Sequence, residues 1–527
     1  MALTIALTGA SGAMGSAAVK FLLASVRNHK LKLLLRDDAV SRKYARSLKG
    51  TDPEKLEIIY GDVAVREDCD RLVKGADYVI HMAALIPPAS DHRLEETKRT
   101  NYVGTVNLAE AVRAAKPQPK FVYISSVAVY GNRNYLHPWG RVGDPLLPST
   151  FDVYAATKVR AERYILDSDI ENWAILRQTG ILHLKMLENN MKDGLMFHTS
   201  WNAPLEWVTA DDSGLLIRNL IEYDSDGKAP GFWKRVYNIG GGKINRRTGY
   251  DTFDGGFAII GGSAESFLEP VWNCPRNFHG VWFSDSQVLE DYFHFRTQTV
   301  EDYWEIVAKA HPVYAVAKFL PSGLIKKLAI ERLLGDSNAP MRWVKSREAA
   351  KVAAAFGSTD NIDLCPVSWD EYPLLSKGRL ADGEIDYDAL RDDDYARTHG
   401  YLLDHGYDET KPDSELDIDD MRSAASYRGG KCLSESMTKG DLYTKLLWEC
   451  HDGHRFEASP YTVLKAGHWC PECCQPEPWK FDILAKSIPF FAQVWYDSHA
   501  RGENGIYYYK NGKAVGFRMK DGALCKI

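Results

Sequence analysis

The chain has 527 residues, of which 45% are hydrophobic and 26% charged, close to the average of soluble globular proteins; disordered, collagen-like and disulfide-scaffold classes are excluded. At this length more than one domain is expected, because single hydrophobic cores stop growing at roughly 250–300 residues. The net charge of −6 is uneven, with fifteen acids against Arg391, Arg397 and Lys411 between Asp382 and Asp420, and the positive charge elsewhere is too diffuse for a nucleic-acid footprint.

In chain order, Leu3–Thr8 reads as a buried strand, followed by a glycine turn and a helical stretch over Ala17–Val26. Further short apolar runs at Leu31–Leu35, Leu56–Tyr60, Tyr78–His81, Phe121–Ser125 and Ala174–Arg177 are separated by helix-length segments. That alternation predicts βαβ units, hence an α/β fold with a Rossmann-type doubly wound parallel sheet. From Ile181 to Leu334 the alternation loosens into aromatic-rich stretches such as Phe278–Phe295, giving a domain over 1–335 with a smaller substrate lobe over 181–335. Val313–Leu334 is apolar with Lys318, Lys326, Lys327 and Arg332 interspersed: an interfacial membrane helix, or a helix packed over the catalytic domain, with Pro321 and Gly323 favouring the second. Residues 336–426 read as a helix at Met341–Phe356 and a solvated acidic connector. The composition then turns Cys/His/Trp-rich over 427–478, and 479–527 ends in a helix and an aromatic hairpin whose Asn511-Gly512 signals a type I′ turn. The start, Met1-Ala2-Leu3-Thr4-Ile5-Ala6-Leu7, lacks a signal-peptide pattern, and no apolar run reaches the ~18 residues of a span. A cytoplasmic protein with no membrane span is expected.

Leu7-Thr8-Gly9-Ala10-Ser11-Gly12-Ala13-Met14-Gly15 joins the first strand to the first helix. Glycines there let the backbone turn tightly and approach a pyrophosphate at a helix N-terminus, so Gly9, Ser11, Gly12, Ala13, Met14 and Gly15 are candidate nucleotide-binding residues. After the second strand come Leu35-Arg36-Asp37-Asp38. An arginine here can hold the 2′-phosphate of NADP and an acid the 2′-hydroxyl of NAD. Arg36 comes first and favours NADP(H), while Asp37 and Asp38 keep NAD(H) open.

Tyr154-Ala155-Ala156-Thr157-Lys158 puts a phenol and an ammonium on one helix face, and Ser126 ends a strand in Ser125-Ser126-Val127-Ala128-Val129-Tyr130-Gly131. A phenol titrates near ~10, and a nearby Lys⁺ and nicotinamide cation are expected to lower that value into the range of acid/base work. With the glycine loop, Gly61-Asp62-Val63, His81-Met82-Ala83-Ala84 and Asn101-Tyr102-Val103-Gly104-Thr105, these motifs resemble the extended short-chain dehydrogenase/reductases, which include NAD-dependent epimerases and dehydratases. The resemblance covers about residues 1–240 and extends more loosely to about 330. It implies that Asp62 and Val63 bind adenine, Ala83 and Ala84 line the cofactor, and Ser126 polarises the reacting oxygen. It further implies that Tyr154 is the acid/base, that Lys158 binds the nicotinamide ribose and depresses the Tyr154 pKa, that Asn101 is structural, and that a homodimer is a possible assembly. Leu176-Arg177-Gln178-Thr179-Gly180-Ile181-Leu182-His183 departs from the Arg-Pro-x-Asn-x-x-Gly-Pro stretch of the nucleotide-sugar branch. The apolar and aromatic residues of Ile181–Met196 and Pro270–Phe295 favour a hydrophobic hydroxy or keto compound instead. The resulting reading is an NAD(P)-dependent oxidoreductase. Two alternatives stand beside it: a nucleotide-sugar epimerase/dehydratase that retains its cofactor, and a nucleotide-sensing protein that engages a partner.

Nine cysteines suit a reducing compartment better than a disulfide framework, since four of them gather at Cys450, Cys470, Cys473 and Cys474. Cys450-x₃-His454 and Cys470-x₂-Cys473 form two knuckle-like pairs suited to tetrahedral structural Zn²⁺, with His451 and Cys474 as substitutes. The segment resembles treble-clef or zinc-ribbon domains; with little core of its own it is expected to need the metal to fold. Its cations are scattered among acids, so nucleic-acid binding is disfavoured relative to docking on the enzyme.

Overall fold

The computed structural model describes residues 2–186, 192–276, 279–520 and 523–527. Seven parallel strands form the main sheet: β1 (Thr4–Thr8), β2 (Lys30–Leu35), β3 (Leu56–Tyr60), β4 (Tyr78–His81), β5 (Lys120–Ser126), β6 (Trp173–Gln178) and β7 (Arg235–Ile239). Their spatial order, β7-β6-β5-β4-β1-β2-β3, reverses between β1 and β4, and a doubly wound sheet opens its ligand crevice at such a point. The expected strands are present within a residue or two, and β7 is an addition. Helices cover both faces, so β5 and β6 are buried almost throughout and read as apolar runs without alternation.

Helix α1 (Ala13–Leu23) starts directly after the glycine turn at Gly12, four residues before the expected Ala17. The motif tyrosine and lysine lie on α2 (Val153–Leu166), capped by the Asp152 side chain accepting from the Ala155 amide. Met341–Phe356 is not one helix: Arg347, at φ 55°, separates Pro340–Lys345 from Ala349–Phe356. Val313–Leu334 is likewise several short pieces, broken where Pro321 cannot continue the preceding turn. Among the described residues no helix is long and apolar enough to cross a membrane.

The acidic stretch is not a solvated connector. Leu390, Ala396, Leu403 and Leu416 are buried, and the indole of Trp139 donates to the Leu390 carbonyl at 3.1 Å. The buried guanidinium of Arg246 donates to the Arg391 carbonyl (2.7 Å) and to Asp393 (2.6 Å), and Arg141 donates to Glu409 (2.6 Å). Part of the acidity therefore compensates Arg141 and Arg246, a pairing that local charge counting cannot reveal.

The Cys/His-rich segment forms an antiparallel sheet of β8 (Lys431–Cys432), β9 (Leu446–Glu449) and β10 (Arg455–Ala458). It does not lack a core. Trp448, Phe456 and Trp469 pack edge to face and join one apolar cluster with Leu108, Phe121, Ile165 and Trp173 of the Rossmann domain. The terminal hairpin, β11 (Gly505–Lys510) and β12 (Lys513–Lys520), places Lys510 opposite Lys513; Asn511 and Gly512 have φ of 51° and 73°, as a type I′ turn requires.

Candidate functional site

One cavity of about 790 Å³ opens at the carboxyl ends of the strands, and Gly9, Ser11, Gly12, Ala13, Met14, Gly15, Arg36, Asp62, Val63, Ala83, Ala84, Ser126, Tyr154 and Lys158 all line it. Residues chosen from motifs scattered over 150 positions thus meet at one place. Gly9 has φ +72° and a Cβ there would sit 2.6 Å from the Ala83 amide nitrogen; a Cβ on Gly15 would sit 2.2 Å from the Gly9 carbonyl. Larger side chains would push α1 away from β1 and close the space a pyrophosphate needs. His81 ties the turn to the neighbouring strand: its Nδ1 meets Thr8 Oγ1 at 2.7 Å, its Nε2 meets Thr105 Oγ1 at 2.9 Å, and Thr8 Oγ1 accepts from the Ala83 amide at 3.1 Å. Burial drives the His81 imidazole down to about 3, so it stays neutral. Asn101 holds both the amide and the carbonyl of Leu85 (2.7 and 2.9 Å), a structural role as the resemblance implies.

At the adenosine end, Arg36 and Ser41 line the cavity, whereas Asp37 and Asp38 do not. Asp38 caps the Ala39–Ser47 helix by accepting from the Ser41 amide, and Asp37 pairs with Arg42 at 2.5 Å. Arg36 is half exposed between Asp38 (3.2 Å) and Glu96 (3.5 Å).

At the other end Tyr154 and Lys158 are buried, and Ser126 ends β5 beside them. Burial pushes the Tyr154 phenol up to about 12, the Ser126 hydroxyl pulling the other way by hydrogen bonding. The expected lowering by Lys158 is absent, for two reasons. Burial drives the Lys158 ammonium down to about 7, with Glu162 opposing, and its Nζ donates to the Ile124 carbonyl at 2.8 Å. Beyond the reacting end, the wall is apolar: Met186, Met196, Leu205, Trp207, Phe257 and Ile330 are among its residues. Among the described residues of Pro270–Phe295 only His279 reaches the cavity, and Leu289, Phe293 and Phe295 fill the sheet's core, so those side chains are packing and not substrate wall. Residues 187–191 of the other expected stretch, and Phe278, lie outside the described residues.

A buried polar network behind the site went unread in the sequence. Glu162, one turn beyond Lys158 on α2, accepts from Arg177 at 3.0 and 2.7 Å and from the Ser125 hydroxyl, and contacts His468 Nε2 at 3.2 Å. Arg177 also donates to Tyr130 Oη (2.8 Å) and to the Ala466 carbonyl (2.7 Å). Arg163 reaches the carbonyls of Trp469 (2.9 Å) and Glu457 (3.1 Å), and the Val236 amide donates to Tyr461 Oη across the free edge of β7 (2.7 Å). Buried polar groups at these positions of α2 and β6 were the available signal, but their partners lie about 300 residues away in sequence.

The four expected ligand atoms of Cys450, His454, Cys470 and Cys473 lie within 4.8 Å of one another. His454 Nδ1 is 3.4 Å from Cys450 Sγ and 3.7 Å from Cys470 Sγ, and Cys473 Sγ is 3.8 Å from Cys450 Sγ. A tetrahedral Zn²⁺ with metal–sulfur bonds of ~2.3 Å needs edges of about 3.5–3.8 Å, so the set fits. Four protein ligands leave no open position for chemistry.

Residues 5–176 match the NAD dependent epimerase/dehydratase family. The chain is 33% identical over 171 residues to a 3 beta-hydroxysteroid dehydrogenase/Delta 5-->4-isomerase of Mycobacterium tuberculosis, a match covering 31% of this chain and 42% of that protein. It is 35% identical over 124 residues to the ceramide reductase of Caulobacter vibrioides, covering 24% of this chain and 35% of the relative. It thus spans less than half the length of the curated relatives it matches. Among solved structures, the dTDP-glucose 4,6-dehydratase of Bacillus anthracis in complex with NAD superposes with a TM-score of 0.46 at 18% identity, over 60% of this chain and 98% of that one.

Proposed function

We propose that the chain is an NADP(H)-dependent oxidoreductase acting on the carbonyl or hydroxyl carbon of a hydrophobic small molecule. The carrying observation is the single cavity that joins the glycine turn, the Ser126–Tyr154–Lys158 group and an apolar wall. The relatives named for hydroxysteroids and ceramide are consistent with an apolar substrate. Gly9 to Gly15 would receive the pyrophosphate, Asp62 and Val63 the adenine, and Ala83 and Ala84 the length of the nucleotide. The nicotinamide, when bound, supplies or accepts a hydride at its C4. Ser126 donates a hydrogen bond to the substrate oxygen and Tyr154 exchanges a proton with it. Burial, which pushes the phenol up to about 12, keeps Tyr154 protonated at neutral pH, and donation to a carbonyl would require nearby positive charge, from Lys158 and a bound nicotinamide, to bring that value down. Lys158, which donates to the Ile124 carbonyl in the structure, would hold the nicotinamide ribose when the cofactor is bound, and its charge there would favour proton donation by Tyr154.

The NADP(H) preference rests on Arg36 and Ser41 lining the cavity while Asp37 and Asp38 do not; a 2′-phosphate would take Arg36 from its pairs with Asp38 and Glu96. The test is nucleotide oxidation with a panel of hydrophobic ketones. Wild type is expected to consume NADPH in preference to NADH, and Arg36→Ala to weaken NADPH binding about tenfold with NADH little changed. Equal use of both nucleotides, or no ketone-dependent oxidation, would overturn the reading.

Cys450, His454, Cys470 and Cys473 are proposed to hold a structural Zn²⁺ that fixes residues 427–478 against the catalytic domain. Metal analysis of the purified chain is expected to give about one zinc per chain, lost in Cys470→Ser. Chelation should open residues 427–478 to protease; a metal-free chain with the same protease pattern would exclude the site.

A further inference from the structure

The segment between Val313 and Leu334 has two faces. Tyr314, Ala317, Ile325, Ala329 and Ile330 turn inward and line the cavity. Val313, Val316, Phe319, Leu320, Leu324 and Leu328 turn outward and are 46–88% exposed, Phe319 the most at 88%. Soluble surfaces scatter such side chains singly; six within sixteen consecutive residues form a patch that marks an interaction site. The cations are placed as an anionic surface would need them. The segment holds four against the single acid Glu331, and among the described residues Lys318 and Lys327 form no ion pair, while Lys326 is tied to Glu269.

We infer that this patch seats the protein on the surface of an anionic phospholipid bilayer, with the cavity mouth facing the lipid. The short, Pro-broken pieces are too brief to span a bilayer but long enough to place Phe319 and its neighbours at the boundary between headgroups and acyl chains. Lys318 and Lys327 then meet lipid phosphates and carboxylates, each adding to binding at low ionic strength. The inference extends the reading of an apolar substrate, because a cavity opening directly onto lipid lets such a molecule enter without crossing water. Bilayer and cavity share the segment's two faces, and that continuity selects lipid over a protein partner.

Sedimentation of the full-length chain with vesicles tests this. Vesicles of phosphatidylcholine with about a third phosphatidylserine are expected to retain the protein, pure phosphatidylcholine to retain much less, and added salt to release it. Phe319→Asp with Leu328→Asp should reduce retention about tenfold or more while leaving nucleotide binding unchanged, since neither side chain lines the cavity. Absent retention, or retention unchanged in the double variant, would overturn the inference. So would a wild-type dimer that the double variant abolishes, because the patch would then be covered by a second copy. Lipid retention is read without turnover, so its failure leaves the hydride-transfer proposal standing, and failure of ketone-dependent nucleotide oxidation leaves the bilayer result standing.

Discussion

Replacing Tyr154 with phenylalanine is expected to lower ketone-dependent NADPH oxidation by about 10²–10⁴-fold, the usual contribution of a positioned acid/base. The ring stays in its pocket; what goes is the hydroxyl that meets Ser126 and holds the transferable proton. Nucleotide affinity should move little, because the glycine turn, Arg36 and Asp62 are untouched. Loss of one buried hydrogen bond costs only about 0.5–1.5 kcal/mol, so the variant remains folded. Steady-state oxidation of NADPH and equilibrium titration with NADPH, run on the same preparation, separate the two effects. Turnover that survives the substitution would move the proton to another group. Activity absent from wild type and variant alike, with tight nucleotide binding in both, would favour a nucleotide sensor.

How much of this was legible differs between the two ends of the chain. The sheet and the nucleotide end were readable because their signals are local: β1, the glycine turn and α1 follow one another within twenty residues, and the Tyr154–Lys158 spacing is one helical turn. The clustering of Cys450, His454, Cys470 and Cys473 was readable for the same reason, as each knuckle carries its own pair. What escaped depended on distant partners. The acids near Asp393 look solvated until Arg246 is found beneath them, and Phe293 looks like a substrate wall until the sheet core claims it. The pKa of Tyr154 escaped for a different reason. The motif places a cation near the phenol but says nothing of the burial that weakens that cation.

The same distance effect hid the joint between the two ends. The Gly467-His468-Trp469-Cys470 stretch supplies Cys470 of the Cys/His cluster and, two residues earlier, the imidazole that touches Glu162. Glu162 shares α2 with Tyr154 and Lys158, and its partner Ser125 precedes Ser126 on β5. The Cys/His module therefore packs behind the elements that carry Ser126, Tyr154 and Lys158, and it provides carbonyl partners to the buried arginines Arg163 and Arg177.

Glu162→Gln is expected to be among the most destabilising single substitutions in the chain. Arg177 is fully buried and its guanidinium is neutralised by this carboxylate. Removing one partner of such a pair leaves an uncompensated charge and costs about 3–5 kcal/mol. The Arg177 guanidinium and the surrounding donors hold the Glu162 carboxyl well below its ordinary value of 4.5, despite burial pulling the other way. A carboxyl depressed in the folded state stabilises fully above its unfolded value, and that stability is lost as the pH falls below 4.5 toward the folded value. Urea unfolding of wild type and Glu162→Gln should therefore differ by several kcal/mol near neutrality, and the gap should narrow steadily as the pH is lowered through 4. Glu162 also opposes the burial that depresses Lys158, so the variant's lysine should be less often charged and its NADPH affinity should fall at the upper end of the neutral range. A gap that is small at neutrality, or that does not close in acid, would show that Arg177 draws its compensation from Tyr130 and the Ala466 carbonyl instead.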